Sequence, residues 1–403
     1  MKTILSSLCV SVSLGVLAVA GSTVLSSTEA NAGALPLSAV EARPLLKTTG
    51  HYLDPMYLPS TEQRNGTVVL RTPLNDGSGL AYYCSGTVVS PTQILTAAHC
   101  VDSNVPQGSG YGTTEHTNVY FGGYSGTPIQ AASYEVHPLY FDPVYGSGAQ
   151  GAFASGDLAI ITLSEPVPAG TKIYGLYQGD AIGQVATHIS YGTTGNGDGT
   201  EETFGLDPRQ NGRIGKNLYE SDLLSIFGVG LEGAHLLYDF DDGTLEHNAF
   251  SWWMSDLYVL PDGSIYVDVD PELFPDLGLD LEEVLIDGGD SGGGAFINGL
   301  LAGIHSFGVT LAGEYCDGIL NPNPNNPLDT AGAWNPEIVN PSDVTCANDS
   351  TFGEIAGDTS VAYFYDWIMA RLNLPPVEVP APATLGLFGF GLLALGLGRR
   401  RRS

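Results

Sequence analysis

Three short stretches carry side chains that could do acyl-transfer chemistry together: His99 in "ILTAAHC", Asp157 at the start of "DLAIITL", and Ser291 in "GGDSGGGAF". A serine hydroxyl is a poor nucleophile unless a base takes its proton, and the base needs a third group to fix its tautomer. His99 follows a strand-like run and stands beside Cys100. Asp157 opens an apolar run that would bury the backbone behind it and let the carboxylate reach an imidazole Nδ1–H. Ser291 lies among five glycines, and glycine permits φ > 0 and close backbone approach, so this stretch alone fits a linker as well as a catalytic turn. A lone histidine is more often structural, and an aspartate before a strand is usually a cap. The three together point to a nucleophile, its base and the base's orienting acid.

The elements that must position them are short runs of β-branched and aromatic residues between Gly, Pro and Asn clusters. "TVVLRT" at Thr67, "QILTAA" at Gln93, "ASYEVH" at Ala132, "LAIITL" at Leu158, "SIYVDVD" at Ser264 and "GLLAGIHSFG" at Gly299 are of this kind. Many short strands separated by turn signals predict an all-β barrel or sandwich. One strong helix is expected in "VAYFYDWIMARL", where Phe364, Trp367, Ile368 and Leu372 share a face. Pro375 and Pro376 follow and end it. Two acidic stretches, "GNGDGTEE" at Gly195 and "DFDDG" at Asp239, read as solvated turns; carboxylates at alternate positions there could also converge on Ca²⁺. No other cofactor is indicated.

The amino terminus has the charged, apolar and A-x-A order of a secretory signal peptide, with cleavage after Ala32. Export makes disulfides the expected state of Cys84, Cys100, Cys316 and Cys346, for which three pairings exist. A Cys84 to Cys100 bridge would hold the His99 turn rigid. A Cys316 to Cys346 bridge would close the long Pro- and Asn-rich insertion between them. Zinc is disfavoured, because neither C-x-x-C nor clustered His accompanies these cysteines. At the other end, an apolar Leu- and Gly-rich run closed by Arg399 to Arg402 would enter a bilayer and leave the arginines on the cytoplasmic side. Formal charge is −30, so nucleic acid, which needs a basic footprint, is excluded as a partner. The acidic coat speaks for solubility outside the cell.

"TAAHC", "DLAIITL" and "GDSGGGAF", in the order His, Asp, Ser, resemble the three signature segments of chymotrypsin-like (trypsin-fold) serine endopeptidases. "HPLY" at His137 and "SYGTTG" at Ser190 resemble further family segments. The resemblance implies two six-stranded antiparallel β-barrels with a C-terminal helix and surface insertions. It also implies a triad of His99, Asp157 and Ser291, with the backbone N–H groups of Gly289 and Ser291 as the oxyanion hole. Ser306, Phe307 and Gly308 in "IHSFG" fall at the edge strand that pairs with substrate, and Leu285 and Ile286 at the base of the specificity pocket. An apolar base disfavours a P1 Arg or Lys. His305 resembles the pocket histidine of glutamyl endopeptidases, against the plainer reading of a histidine hydrogen-bonded within the barrel.

The chain departs from the family in lacking an "IVGG"-like start upstream of Val68 to pair with Asp290, for which Arg213 is a candidate substitute. The tail resembles the PEP-CTERM signals of Gram-negative bacteria, with Ala381 in place of the usual Glu; this implies an exosortase-type sorting machinery and transient membrane contact. The expected layout is a signal peptide over residues 1–32, a leader or surface wrap over 33–66, a protease domain over 67–373, and a Pro-rich linker with sorting tail over 374–403. The expected function is an exported endopeptidase acting on peptide or protein substrates, with an apolar or acidic P1 preference, at the cell surface or in the extracellular matrix. The competing class is a catalytically silent trypsin-fold binding module.

Overall fold

The computed structural model describes residues 27–29, 35–36, 46–73, 80–101, 117–150, 153–192, 194–198, 211–244, 247–254, 256–259, 265–268, 274–309 and 352–372. Cys316, Cys346, the insertion they bracket and the sorting tail lie outside these residues, as does almost all of the signal peptide.

Six strands of the amino-terminal half close on themselves. Thr67–Pro73 pairs with Leu80–Ser90 and Asn118–Phe121. Ile129–Val136 joins Asn118–Phe121 to Ala159–Leu163. Gln93–Thr96 lies between Ala159–Leu163 and Leu80–Ser90 and shuts the ring. Closure removes the exposed edges that an open sheet would leave. Val68, Val88, Ile94 and Ile161, none of them exposed, share one face of the barrel wall.

The carboxy-terminal half forms a second, curled antiparallel sheet that stays open, in the order Arg213–Leu218, Val185–Ser190, Gly294–Ile297, Leu300–Val309, Ile355–Ser360, His235–Asp239, Ser221–Asp222. Its two outermost strands are joined in the chain by Tyr219 and Glu220 alone. The architecture is therefore mostly β, one closed six-stranded barrel and a curled half-barrel, which answers to the two-barrel layout expected. One apolar cluster runs from Val68, Leu95 and Ile160 to Ile189, Phe296 and Ile304, so barrel and half-barrel share a core.

The expected C-terminal helix is shorter than its pattern, spanning Tyr365–Met369 with turns on either side. Phe364 and Ile368 are buried against the shared core, with Trp367 and Leu372 partly buried beside them. Packing of those four side chains, rather than helix length, holds the segment. Thr61–Gly66 is a short helix whose start is fixed by its cap, where Ser60 and Gln63 form a capping box.

Residues 46–48, in the stretch expected to wrap the surface, run through the interior. Leu46, Lys47 and Thr48 have no exposure. Lys47–Thr48 pairs antiparallel with Val284–Leu285 and parallel with Gly195–Asn196.

Candidate active site

Strand register brings His99 to Asp157. Gln93–Thr96 pairs antiparallel with Ala159–Leu163, Thr96 opposite Ala159, so the turn after the first strand and the residues before the second emerge at the same end of the barrel. His99 lies in the 3-10 turn Ala98–Cys100. Its Nδ1 is 2.7 Å from Asp157 Oδ2, and its backbone N–H donates to Oδ1 at 3.0 Å. Asp157 is 3 % exposed. Burial raises its pKa, but the His99 charge and hydrogen bonds from His99 and Ser306 outweigh burial and hold the carboxyl below its ordinary value.

Ser291 follows a tight loop in which Gly289 and Gly292 have φ of 93° and 79°. At Gly292 a β-carbon would stand 2.0 Å from Thr96 Oγ1 and 2.4 Å from the Ser85 carbonyl oxygen, so only glycine fits there. Ser85 ties this loop to the first barrel: its N–H donates to the Ser291 carbonyl at 2.8 Å and its hydroxyl to the Gly289 carbonyl at 3.1 Å. The hydroxyl also accepts from the Tyr191 N–H at 2.9 Å. The residue before Ser85 is Cys84, disulfide-bonded to Cys100 as expected, and Cys100 Sγ lies 3.6 Å from the Ser291 carbonyl oxygen. The Ser291 loop, the disulfide and the His99 turn are thus one connected unit. Sequence reasoning did not single out Ser85; its only signal was its place directly after Cys84 in "YYCSG".

Asp290 is fully buried. Its carboxylate accepts the N–H of Gly192 at 2.6 Å and of Asp287 at 2.7 Å. Burial pushes its pKa up to about 7. Arg213, the candidate cation, donates instead to the carbonyls of Tyr52 and Gly212 at 3.0 and 2.8 Å. It is engaged by the amino-terminal segment, so the suggestion that it serves Asp290 is corrected. The nearby Lys47 ammonium lies 3.9 Å from Asp287.

The residues expected to meet substrate divide into two groups. Ser306 sits at a bulge in the pairing with Ile355–Ser360, between His305 opposite Asp358 and Phe307 opposite Gly357. Its hydroxyl donates to Asp157 Oδ2 at 2.6 Å. Phe307 and Gly308 lie on the same strand, along an edge that Ser27–Glu29 joins as an antiparallel strand, Thr28 opposite Gly308 and Glu29 opposite Phe307. Leu285 and Ile286 are each 1 % exposed and pack in the second-sheet core with Leu46, Tyr57 and Ala295.

His305 has no exposure, and its Nδ1 is 2.9 Å from Asp358 Oδ1. Asp358 also accepts from Tyr219 at 2.5 Å and Tyr238 at 3.3 Å. His188 stacks on His305 with centroids 5.2 Å apart, and burial pushes its pKa down to about 3. Burial raises Asp358, but His305 above all, with His188 and Tyr219, holds it below the ordinary carboxylate range. His305 is thus hydrogen-bonded within the half-barrel.

The family described as Trypsin matches residues 61–208, and the PEP-CTERM protein-sorting motif matches residues 378–402. No curated protein matches the chain in sequence. Similar solved structures include neuropsin, a serine protease expressed in the limbic system of mouse brain, at 15 % identity and a TM-score of 0.45, covering 78 % of this chain and 97 % of that one. Another is HL collagenase, at 16 % identity and 0.44, covering 80 % and 99 %.

Proposed function

Because the chain carries a trypsin-family serine protease domain followed by a PEP-CTERM sorting motif, we propose that it is an exported serine endopeptidase with His99, Asp157 and Ser291 as its triad. The observation that carries this reading is the two-point hold of Asp157 on His99, at Nδ1 and at the backbone N–H. With Nδ1–H given to the carboxylate, Nε2 is the basic nitrogen. It takes the Ser291 proton as Oγ attacks the scissile carbonyl, and Asp157 stabilises the imidazolium that forms. The developing oxyanion is met by the N–H groups of Gly289 and Ser291. His99 then protonates the leaving amine, and water hydrolyses the acyl-enzyme by the same steps in reverse.

A protease domain implies protein substrates, and the PEP-CTERM motif implies exosortase-mediated sorting to the cell surface of a Gram-negative bacterium. The pairing of Ser27–Glu29 with Phe307–Val309 supports an edge suited to extended peptide, bound by main-chain hydrogen bonds. The P1 preference is apolar. Leu285 and Ile286 supply no counter-charge for a P1 cation. A P1 carboxylate at His305 would bring a second negative charge beside Asp358.

Reaction with a fluorophosphonate probe and mapping of the adduct tests the triad. Labelling at Ser291, lost in Ser291→Ala and His99→Ala, is the expected result. The second reading, a silent binding module, draws on Asp290 being held by backbone amides rather than an ammonium among the described residues. Failure of the folded protein to label, before and after limited proteolysis, would favour it. Peptide-library profiling tests P1: dominance of Glu would overturn the apolar preference.

A further inference from the structure

The short strand that crosses the interior beside the Ser291 loop carries a lysine. Lys47–Thr48 is the middle strand of a three-stranded sheet, antiparallel to Val284–Leu285 with Lys47 opposite Leu285, and parallel to Gly195–Asn196 with Lys47 opposite Gly195. Bonds on either side fasten it. The Thr194 hydroxyl donates to the Leu46 carbonyl, and the Gly197 N–H to the Thr48 carbonyl at 2.9 Å. The Thr49 N–H and hydroxyl donate to the Glu283 carbonyl at 3.2 and 3.0 Å. Leu46 packs with Leu285 and Ile286. An apolar side chain at position 47 would suit such a strand, whereas a lysine buries a charge there.

Lys47 has no exposure, while the other two described lysines, Lys172 and Lys216, are 30 and 39 % exposed at the side chain. A buried ammonium is costly unless an anion compensates it, and an interior ion pair adds little stability over a well-packed apolar side chain. The ammonium lies 3.9 Å from Asp287 Oδ2, on a carboxylate 18 % exposed.

Asp287 opens the turn that leads to Ser291. Its Oδ1 accepts the Gly288 N–H at 2.6 Å, and its carbonyl accepts the Asp290 N–H at 3.0 Å. Its own N–H donates to Asp290 Oδ2 at 2.7 Å. Asp290 in turn holds Gly192 through its carboxylate and Gly293, beyond Ser291, through its carbonyl. Whatever fixes the Asp287 side chain therefore constrains the loop through Gly289 to Ser291.

We propose that Lys47 is a positioning residue for Ser291: its buried ammonium anchors the Asp287 carboxylate and so sets the loop from Asp287 to Ser291. The pair contributes position more than stability. The strand that carries Lys47 is then a working part of the site, and the competent protein keeps residues 46–48 rather than shedding them with the leader expected over 33–66. The inference rests on the reading of Ser291 as the nucleophile, but one readout of its test does not.

Lys47→Met keeps the length of the side chain and its apolar stem and removes only the charge. The purified protein and this variant are compared by fluorophosphonate labelling, by thermal unfolding, and by amide hydrogen exchange of the stretch from Ile286 to Gly292. Labelling of Lys47→Met is expected to be slower by about a hundredfold, the scale of a small misplacement of reacting groups. Exchange of that stretch should be faster by about tenfold. Its Tm should not fall, because Asp287 is partly exposed and is solvated when its partner is lost. Asp287→Asn leaves the ammonium without this anion and should lower both Tm and labelling; the double variant should regain the Tm but not the labelling rate. A lysine that served only to pack would be replaced by Met without effect, so wild-type labelling and exchange in Lys47→Met would overturn the proposal. Failure of that variant to fold would also overturn it, by making the lysine structural, as would labelled protein whose amino terminus lies beyond Thr48. If the wild-type protein does not label, the peptidase reading falls, and the exchange of the loop alone decides the anchor.

Discussion

The hydroxyl of Ser306 donates to Asp157 Oδ2 at 2.6 Å, the same oxygen that His99 Nδ1 meets at 2.7 Å. A bulge makes this contact. His305 and Phe307 pair with Asp358 and Gly357 across the sheet, and the residue between them is left out of the ladder and re-aimed at the aspartate. Ser306→Ala is expected to lower kcat about tenfold with KM unchanged, the scale of one hydrogen bond to a charged group. The Asp157 charge would then fall more fully on His99, so the acid limb of the kcat/KM profile should move to higher pH. A change confined to KM would count against a positioning role.

Asp157 ties activity to acid stability. Its pKa is held low by His99 and Ser306 despite burial, so its contribution to stability is present above the unfolded value near 4 and is lost as pH falls below that value. Asp157→Asn should lower kcat by about 10⁴ and flatten the fall of the urea midpoint between about pH 5 and 3. An unchanged acid limb of stability would contradict the assigned hydrogen bonds.

Ser85 makes three contacts with the Ser291 loop and its neighbour Tyr191. Ser85→Ala keeps the backbone bond but leaves the Gly289 carbonyl and the Tyr191 N–H without the hydroxyl. A loss of about 2 kcal/mol in urea unfolding is expected, with slower fluorophosphonate labelling at Ser291. Wild-type labelling in a destabilised variant would separate fold from site.

Removal of the Cys84–Cys100 disulfide, whose partners are 16 residues apart, should cost about 3 kcal/mol on the chain-entropy scale. The bridge also joins the His99 turn to the strand that holds Ser291. The double Cys→Ala variant is therefore expected to lose labelling rate more than its stability loss alone explains. Labelling at pH values and temperatures of matched folded fraction checks this.

Ser27–Glu29 occupies the edge of Phe307–Val309 in antiparallel register. Protein that retains this segment should label and cleave more slowly than protein beginning at Gly33, and an added peptide substrate should compete with it. Equal rates for the two forms would show that the edge is not the substrate strand.

Much of this architecture was legible in sequence because it is local. The six strand-like runs appear where their β-branched and aromatic composition between turn residues predicted, and the amphipathic face of Phe364, Trp367, Ile368 and Leu372 meets the core, although only Tyr365–Met369 is helical. The Cys84–Cys100 pair was legible as one hairpin's separation. Ser85 and Ser306 were not legible as supports, since a small polar residue has no pattern of its own. Their partners lie 204 and 149 residues away.

By itself the sequence determined the mostly β class, the order of the His, Asp and Ser segments, and the C-terminal sorting motif, because each is written in residue type over a few neighbouring positions. Only the tertiary structure decided that Asp358 faces His305 and that Arg213 serves Tyr52 and Gly212 rather than Asp290. Alternation says which face of a strand is buried but not which strand lies beside it. That choice is made by register and closure across the whole chain, and each of these contacts depends on it.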